Sequence, residues 1–361
     1  MSSIGSVGTG YGFLNTLVAH AGSVHQQLNT LTEQVSTGLV AQTYAGLSAN
    51  AGVSLKLNPQ LSALQTYRSN IDQAVGRMQV TQTAMTQLQS IASTFVAAMP
   101  KLSSLTPKNV DSYAAQARDA LVQVAGLLNT KDGDVYVFAG QDTANPPVPS
   151  PDSILTSPFY NAIKVAVVPL TSMTIADTQN AALSNTSATG GGTSPFSDYM
   201  AQPISGIQQQ VVQVQNGSSV PIGLLASVNS NAQSTDPSTT QYYMRYLMRG
   251  IATIGSLSSS QVNDPNFASV IEDTRATLTD VVSAMAVDTG VLGNRQSMLT
   301  SMQTQLADTA AALTGQVSAV QDVDMAETLS NLTAIQTQLQ MSYRMIVNQG
   351  TLSLASFLPV S

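Results

Sequence analysis

The sequence predicts a mainly α-helical protein in which long coiled-coil helices from the two chain ends pair antiparallel and a β-rich segment is inserted between them. Three observations predict it. Both ends carry an apolar stripe at alternating steps of three and four residues, the period of a coiled-coil seam. The flanking stretches repeat that period over tens of residues. The stretch from about 146 to 237 is instead rich in Ser, Thr, Gly and Pro, with short β-like runs between turn signals.

The N-terminal seam runs through Leu14, Leu17, Ala21, Val24, Leu28, Leu31, Val35 and Gly38. From residue 1 to 55 the single formally charged side chain is Glu33. A second helix is expected from about 56 to 99, with Leu57, Leu61, Leu64, Ile71, Val75, Met78, Met85, Ala92, Val96 and Met99 on one grid, ended by Pro100 and "SSLTPKN". A shorter helix at 109–129 places Tyr113, Ala117, Leu121, Val124 and Leu128 on one side, and "KDGD" then turns the chain into the strand-like "VYVFAG". In the middle, "KVAVVPL", "QQVVQVQ" and "SVPIGLLASV" are expected strands. Helix resumes at "QYYMRYLMRGIATIGSL", and a long helix spans about 265–320 on a grid from Phe267 to Val320. The phase slips at Asp322–Asp324, which predicts a joint. Beyond it a terminal seam starts at Met325 and continues through Leu329, Leu332, Leu339, Tyr343 and Ile346 to Gly350. Three domains follow: 1–40 with 323–361, 41–145 with 238–322, and 146–237 inserted.

Composition narrows the function. Charged residues make up 9% of the chain, against roughly 25% in ordinary globular proteins. The polar surface is therefore mostly Gln, Ser, Thr and Asn, groups that desolvate at lower cost than ions when a copy packs against them. A single seam on an isolated helix buries too little to order it. The two ends are expected to pair with each other and then with neighbouring copies, and to stay disordered without them. A net charge of −7 with thirteen scattered Lys and Arg residues argues against nucleic-acid binding. No run is apolar enough to insert in a membrane, and the N-terminus lacks the basic region of a cleaved signal peptide.

No catalytic constellation emerges, and the chain is expected not to be an enzyme and to need no cofactor. There is no Cys and no H-E-x-x-H. His20 and His25, five residues apart on a helix, point about 140° from each other and cannot share a metal. "GTGYGF" at 8–13 follows no strand and has no Lys-Ser/Thr after it, so it reads as a flexible lead and not a phosphate loop. Asp322, Asp324 and Glu327 fit an acidic helix start better than a cation site.

Several segments resemble the bacterial flagellins and the hook-associated proteins related to them. "LNTLTEQVSTGL" (28–39) is similar to the family's L-x-x-L-S-S-G-L run, and residues 45–88 resemble the segment that follows it. Residues 292–332 resemble the C-terminal segment, including Asn294-Arg295 and the acidic signature at Asp322, Asp324, Ala326 and Glu327. "LLNTKDGDVYVFAGQDTANPPV" (127–148) resembles the hook-associated branch, with Y-x-F-x-G-x-x-T leading to P-P. The resemblance implies a secreted, extracellular structural subunit that joins hook to filament and is needed for motility, with a filament flagellin as the alternative. It implies export through the flagellar type III apparatus with a chaperone, and assembly with itself, with other hook-associated proteins and with flagellin. The terminal helices would form an inner tube. The other readings are a non-flagellar type III coiled-coil substrate, and a secreted enzyme on the same scaffold. The latter would need a metal-binding His pair between 146 and 237, where no His stands.

Overall fold

The computed structural model describes residues 7–103, 107–170, 174–231 and 241–355, with side chains described over 15–102, 109–170, 174–231 and 241–348. The described chain is mainly helical, with little strand. Its helices are α1 (Val7–Thr37), α2 (Ala51–Ser103), α3 (Pro107–Leu128), α4 (Pro158–Val167), α5 (Ile175–Leu183), α6 (Tyr243–Gly255), α7 (Phe267–Gln321) and α8 (Met325–Ala355). Two antiparallel ladders complete it: β1 (Lys131–Asp132) with β2 (Val135–Tyr136), and β3 (Val211–Gln215) with β4 (Ser218–Pro221). Contacts divide the chain into two compact units, Met1–Gln65 with Asp308–Ser361, and Thr66–Ala307.

In the first unit the turns at either end of the chain's long helices are tied together. Gly38 takes a left-handed φ of +72°, which ends α1 without a Cβ penalty. Val40 N–H then donates to Gln321 C=O at 2.7 Å, and Val323 N–H to Gly38 C=O at 2.9 Å. The slip at Asp322–Asp324 is thus a true break between α7 and α8. The Asp324 carboxylate caps the new helix, accepting from Ala326 N–H at 2.9 Å and Glu327 N–H at 3.1 Å. Gln321 reaches the buried Ser54 hydroxyl and fixes the start of α2 beside this joint.

In the second unit the expected grids turn inward. Ile71, Met78, Met85, Ala92 and Met99 of α2, Ala117, Leu121, Val124 and Leu128 of α3, and Phe267, Ile271, Leu278, Val281, Met285, Leu292 and Leu299 of α7 are all buried. α2 continues three residues past Pro100 before it stops. The expected strand "KVAVVPL" lies instead in and just after α4. Ser157 caps that helix by accepting from Tyr160 N–H at 3.2 Å, Pro158 opens it, and Phe159, Tyr160, Ile163 and Val167 bury one face at helical spacing. Burial here overrides the β preference of the valines. "VYVFAG" contributes only two ladder residues, because Val137 and Phe138 leave the ladder to enter the core.

α6 is buried at every position, two arginines included. The Arg245 guanidinium donates to the carbonyls of Ser227 (2.9 Å), Ser184 (2.8 Å) and Met200 (3.3 Å), and stacks near Phe196 and Tyr242. Burial pulls its pKa down to about 10, so it remains charged at neutral pH. Arg249, one turn on, donates to Thr178, Asp273 and Thr277. Asp288 of α7 is fully buried and accepts from the Tyr243 hydroxyl at 2.8 Å and from the amides of Ser230 (3.0 Å) and Asn231 (2.8 Å). Burial, reinforced by this carboxylate, holds the Tyr243 phenol well above its usual pKa range. A few charged groups therefore stitch the irregular loops of the second unit to its central helix.

Candidate assembly surface

The α1–α8 pair is the candidate site. The end of α1 lies beside the start of α8 through the Gly38–Val323 bond, and the two helices pack along each other, so they run antiparallel. On α1, Leu17, Leu28, Leu31 and Val35 are half-buried and Ala21 and Val24 buried, so one continuous face turns to α8. The side chain of Leu14 lies outside the described residues. Gly8–Phe13, expected as a flexible lead, has its backbone in α1, and its side chains lie outside the described residues as well.

On α8 the structure separates the expected stripe into two. Leu332, Leu339 and Ile346 face α1, joined by Thr328, Ile335 and Ser342 in steps of three and four. Met325, Leu329 and Tyr343 are exposed and lie on the flank of that face. Gly350 lies beyond the described side chains. The physical reason is registry. Both stripes keep a coiled-coil step, but they sit roughly 60° apart on the 3.6-residue wheel, and α1 covers only one. The polar members Thr328 and Ser342 hid the buried stripe from a reading that tracked apolar residues. Gln336 falls where the expected stripe needs an apolar residue between Leu332 and Leu339, and that polar position was the signal that could have exposed it.

Further round α8, Met341, Met345 and Val347 are also exposed, Val347 at 63%. With Tyr343 at 51% and Ile346 half-buried, the segment 341–347 is apolar on several faces. Helices of that character are ordinarily buried all round. Between α1 and α8 lies an open groove of about 550 Å³ lined by Ser23, Gln26, Gln27, Thr30, Asn331 and Ala334. Leu31 and Ile335 also line it, so its walls join apolar side chains to neutral amides and hydroxyls, which offer hydrogen bonds without ionic desolvation. His20 and His25 are both exposed and face apart as the helical wheel requires. Among the described residues no group of His, Cys, Asp and Glu gathers as a metal site, and no helix is long and apolar enough to cross a membrane.

Several residues of the "KDGDVYVFAGQDTANPPV" segment have a structural use. Gly133 turns the β1–β2 hairpin at φ +61°. Tyr136 N–H donates to Thr143 C=O at 3.0 Å, and Phe138 is fully buried. Gly140 holds φ +60°, and a Cβ there would lie 2.5 Å from Gln208 C=O. Asn129 clamps Val148 through both its amide atoms, at 2.7 and 2.9 Å.

Comparison with known proteins agrees with this layout. The bacterial flagellin N-terminal helical region matches residues 14–143, and the bacterial flagellin C-terminal helical region matches residues 276–358. Flagellin A of Helicobacter mustelae is 23% identical over 300 residues, which are 79% of this chain and 57% of that protein. The chain thus spans little more than half the length of that relative. The fold is similar to that of a flagellar hook-associated protein from Vibrio parahaemolyticus, with a TM-score of 0.51 at 12% identity, over 74% of this chain and 96% of that one. With both helical regions of the family present at the two ends, and together filling more than half of its residues, the chain belongs to the bacterial flagellin family.

Proposed function

We propose that the protein is a structural, non-catalytic subunit of the bacterial flagellum, secreted and assembled with copies of itself through the α1–α8 pair. The observation that carries the reading is the uncovered apolar surface of α8: Met341, Tyr343, Met345 and Val347 stand exposed on a helix whose partner covers one side only. Neighbouring copies in a tube wall would supply the missing cover, and the neutral groove between α1 and α8 would receive them. In this reading 1–40 with 323–361 form the inner wall, 41–145 with 238–322 the next layer, and 146–237 the outward segment. Export proceeds through the type III apparatus with a chaperone.

The 127–148 segment favours the junction between hook and filament, with other hook-associated proteins and flagellin as axial neighbours, and the hook-associated protein of similar fold points the same way. A filament subunit is the second reading, favoured by the flagellin relative. Immunogold labelling of sheared flagella separates the two. A band at the proximal end supports the junction, decoration along the shaft supports the filament, and no labelling of flagella overturns both. Replacing Leu28 or Leu332 with Asp, which buries a charge in the seam, should abolish assembly and motility while the chain is still exported. Normal motility in both variants would refute the paired-ends assembly.

A further inference from the structure

Asn216-Gly217 is the one Asn-Gly pair in the chain. It forms the tip between β3 and β4. Asn216 is exposed, and its side chain joins no hydrogen bond among the described residues. Gly217 sits at φ +74°, and a Cβ there would meet nothing within 4 Å, so the space beside this peptide link is open. Several other asparagines are held differently. Asn129 is clamped to Val148, Asn185 receives Arg245, and Asn231 receives Arg295. Asn161 and Asn180 lie inside α4 and α5, where the next amide is committed to the helix. Asn58 and Asn145 precede prolines, which have no N–H to attack with.

We propose that Asn216 is a self-modification site, an amide that converts to a carboxylate by attack of its own backbone. The Gly217 nitrogen loses its proton and bonds to Cγ of Asn216, and the Cγ–Nδ2 bond breaks as ammonia leaves with the proton. The resulting succinimide takes up one water at either carbonyl and opens to aspartate or to isoaspartate. The sum is one amide and one water in, one carboxylic acid and one ammonia out, with no change of oxidation state. Glycine is the residue that makes this fast, because no side chain shields its nitrogen.

Two consequences follow from where the site stands. No formally charged residue occurs between Asp198 and Asp236, so conversion places a lone negative charge at the end of a neutral hairpin. The isoaspartate product also sends the backbone through Cβ and lengthens a turn whose ladder is already irregular between Gln213 and Gln215. Val212, Val214 and Val220 are the inward side chains of that hairpin, and a slip of one residue would turn them outward. The hairpin thus changes charge and pairing with the age of the molecule.

The test is incubation of the full chain in mildly alkaline buffer, followed by peptide mass mapping and by labelling with isoaspartyl methyltransferase and a labelled methyl donor. The expected result is that the peptide holding residue 216 gains the acid before any other, accepts the methyl label, and shows faster amide exchange at Val212 and Val214. Asn216→Gln should abolish the label at this peptide while leaving the fold unchanged. Gly217→Ala should slow conversion, and since alanine is strained at this φ, the Gln variant decides. An intact Asn216 after a time that converts the excised 209–222 peptide would overturn the proposal, as would first conversion at any other asparagine.

Discussion

The α1–α8 pair and α6 are both helices with apolar stripes, yet they differ in how much of themselves they bury. Among described side chains, only Ala21 and Val24 of α1 and Thr328 and Leu339 of α8 are buried. α6 is covered on every side over Tyr243–Gly255. One helix is surrounded by its own chain. The other two touch each other and leave their remaining faces bare. Since helix order comes mostly from tertiary burial, α6 owes its stability to its own unit, whereas in the assembly proposed above the terminal pair would draw on neighbouring copies.

The most drastic way to break this contrast is to delete residues 1–38. Assembly should be lost entirely, because α8 loses the partner that defines its inner face. The cooperative thermal transition of the second unit should persist, followed by circular dichroism. Loss of all helical signal would show that the second unit cannot stand alone.

Next in size is Arg245→Ala. The change orphans the carbonyls of Ser227, Ser184 and Met200 and leaves a void beside Phe196 and Tyr242. Losses of this kind reach about 3–5 kcal/mol, measured by denaturant unfolding of the second unit. An effect below about 1 kcal/mol, the scale of one ordinary hydrogen bond, would mean that water replaces the guanidinium at no cost.

A smaller and pH-dependent effect belongs to Tyr243. Its folded pKa is raised, so its stabilising share is complete below the ordinary phenol value of about 10 and is lost as pH climbs past that value. Tyr243→Phe should cost about 1–3 kcal/mol near neutrality by leaving Asp288 one donor short. It should also flatten the alkaline fall in stability. Arg245 acts in the opposite sense, since its depressed pKa makes its burial less costly as pH rises above about 10. An alkaline limb equally steep in Tyr243→Phe would assign the fall to other groups.

The long helices were legible in the sequence because a single period runs through them. The grid from Ile71 to Met99 and that from Phe267 to Leu299 are the buried faces observed, and the phase slip at Asp322–Asp324 is the observed joint. What escaped was chemistry that breaks the pattern. Asp288 occupies a core position of the α7 grid, between Met285 and Leu292, and a carboxylate there could have been read as a buried acceptor. Arg245 and Arg249 look like the polar side of an amphipathic helix until the loops at 184, 200 and 227 are known to fold over the first, and α5 and α7 to cover the second. In the middle segment, short valine runs carry no period, so a capped helix at 158–167 and a strand at 211–215 look alike. On α8 two parallel stripes of similar composition were merged into one, since Thr328 and Ser342 do not count as apolar.

That merging supplies the finest test of the contrast between self-buried and bare helices. Leu339 faces α1 and is 9% exposed, while Tyr343, four residues on, is 51% exposed. Leu339→Ala should weaken the α1–α8 pair, wherever that pair is folded, by about 2 kcal/mol or more, the cost of truncating a covered leucine. Tyr343→Ser should change it by no more than about 0.5 kcal/mol, as surface substitutions do. In the assembled state the order should reverse for the second residue: if neighbouring copies cover it, Tyr343→Ser raises the critical concentration for polymerisation in a sedimentation assay. Equal critical concentrations for Tyr343→Ser and the parent chain would place the outer contacts elsewhere on α8, with Met341, Met345 and Val347 the next positions to substitute.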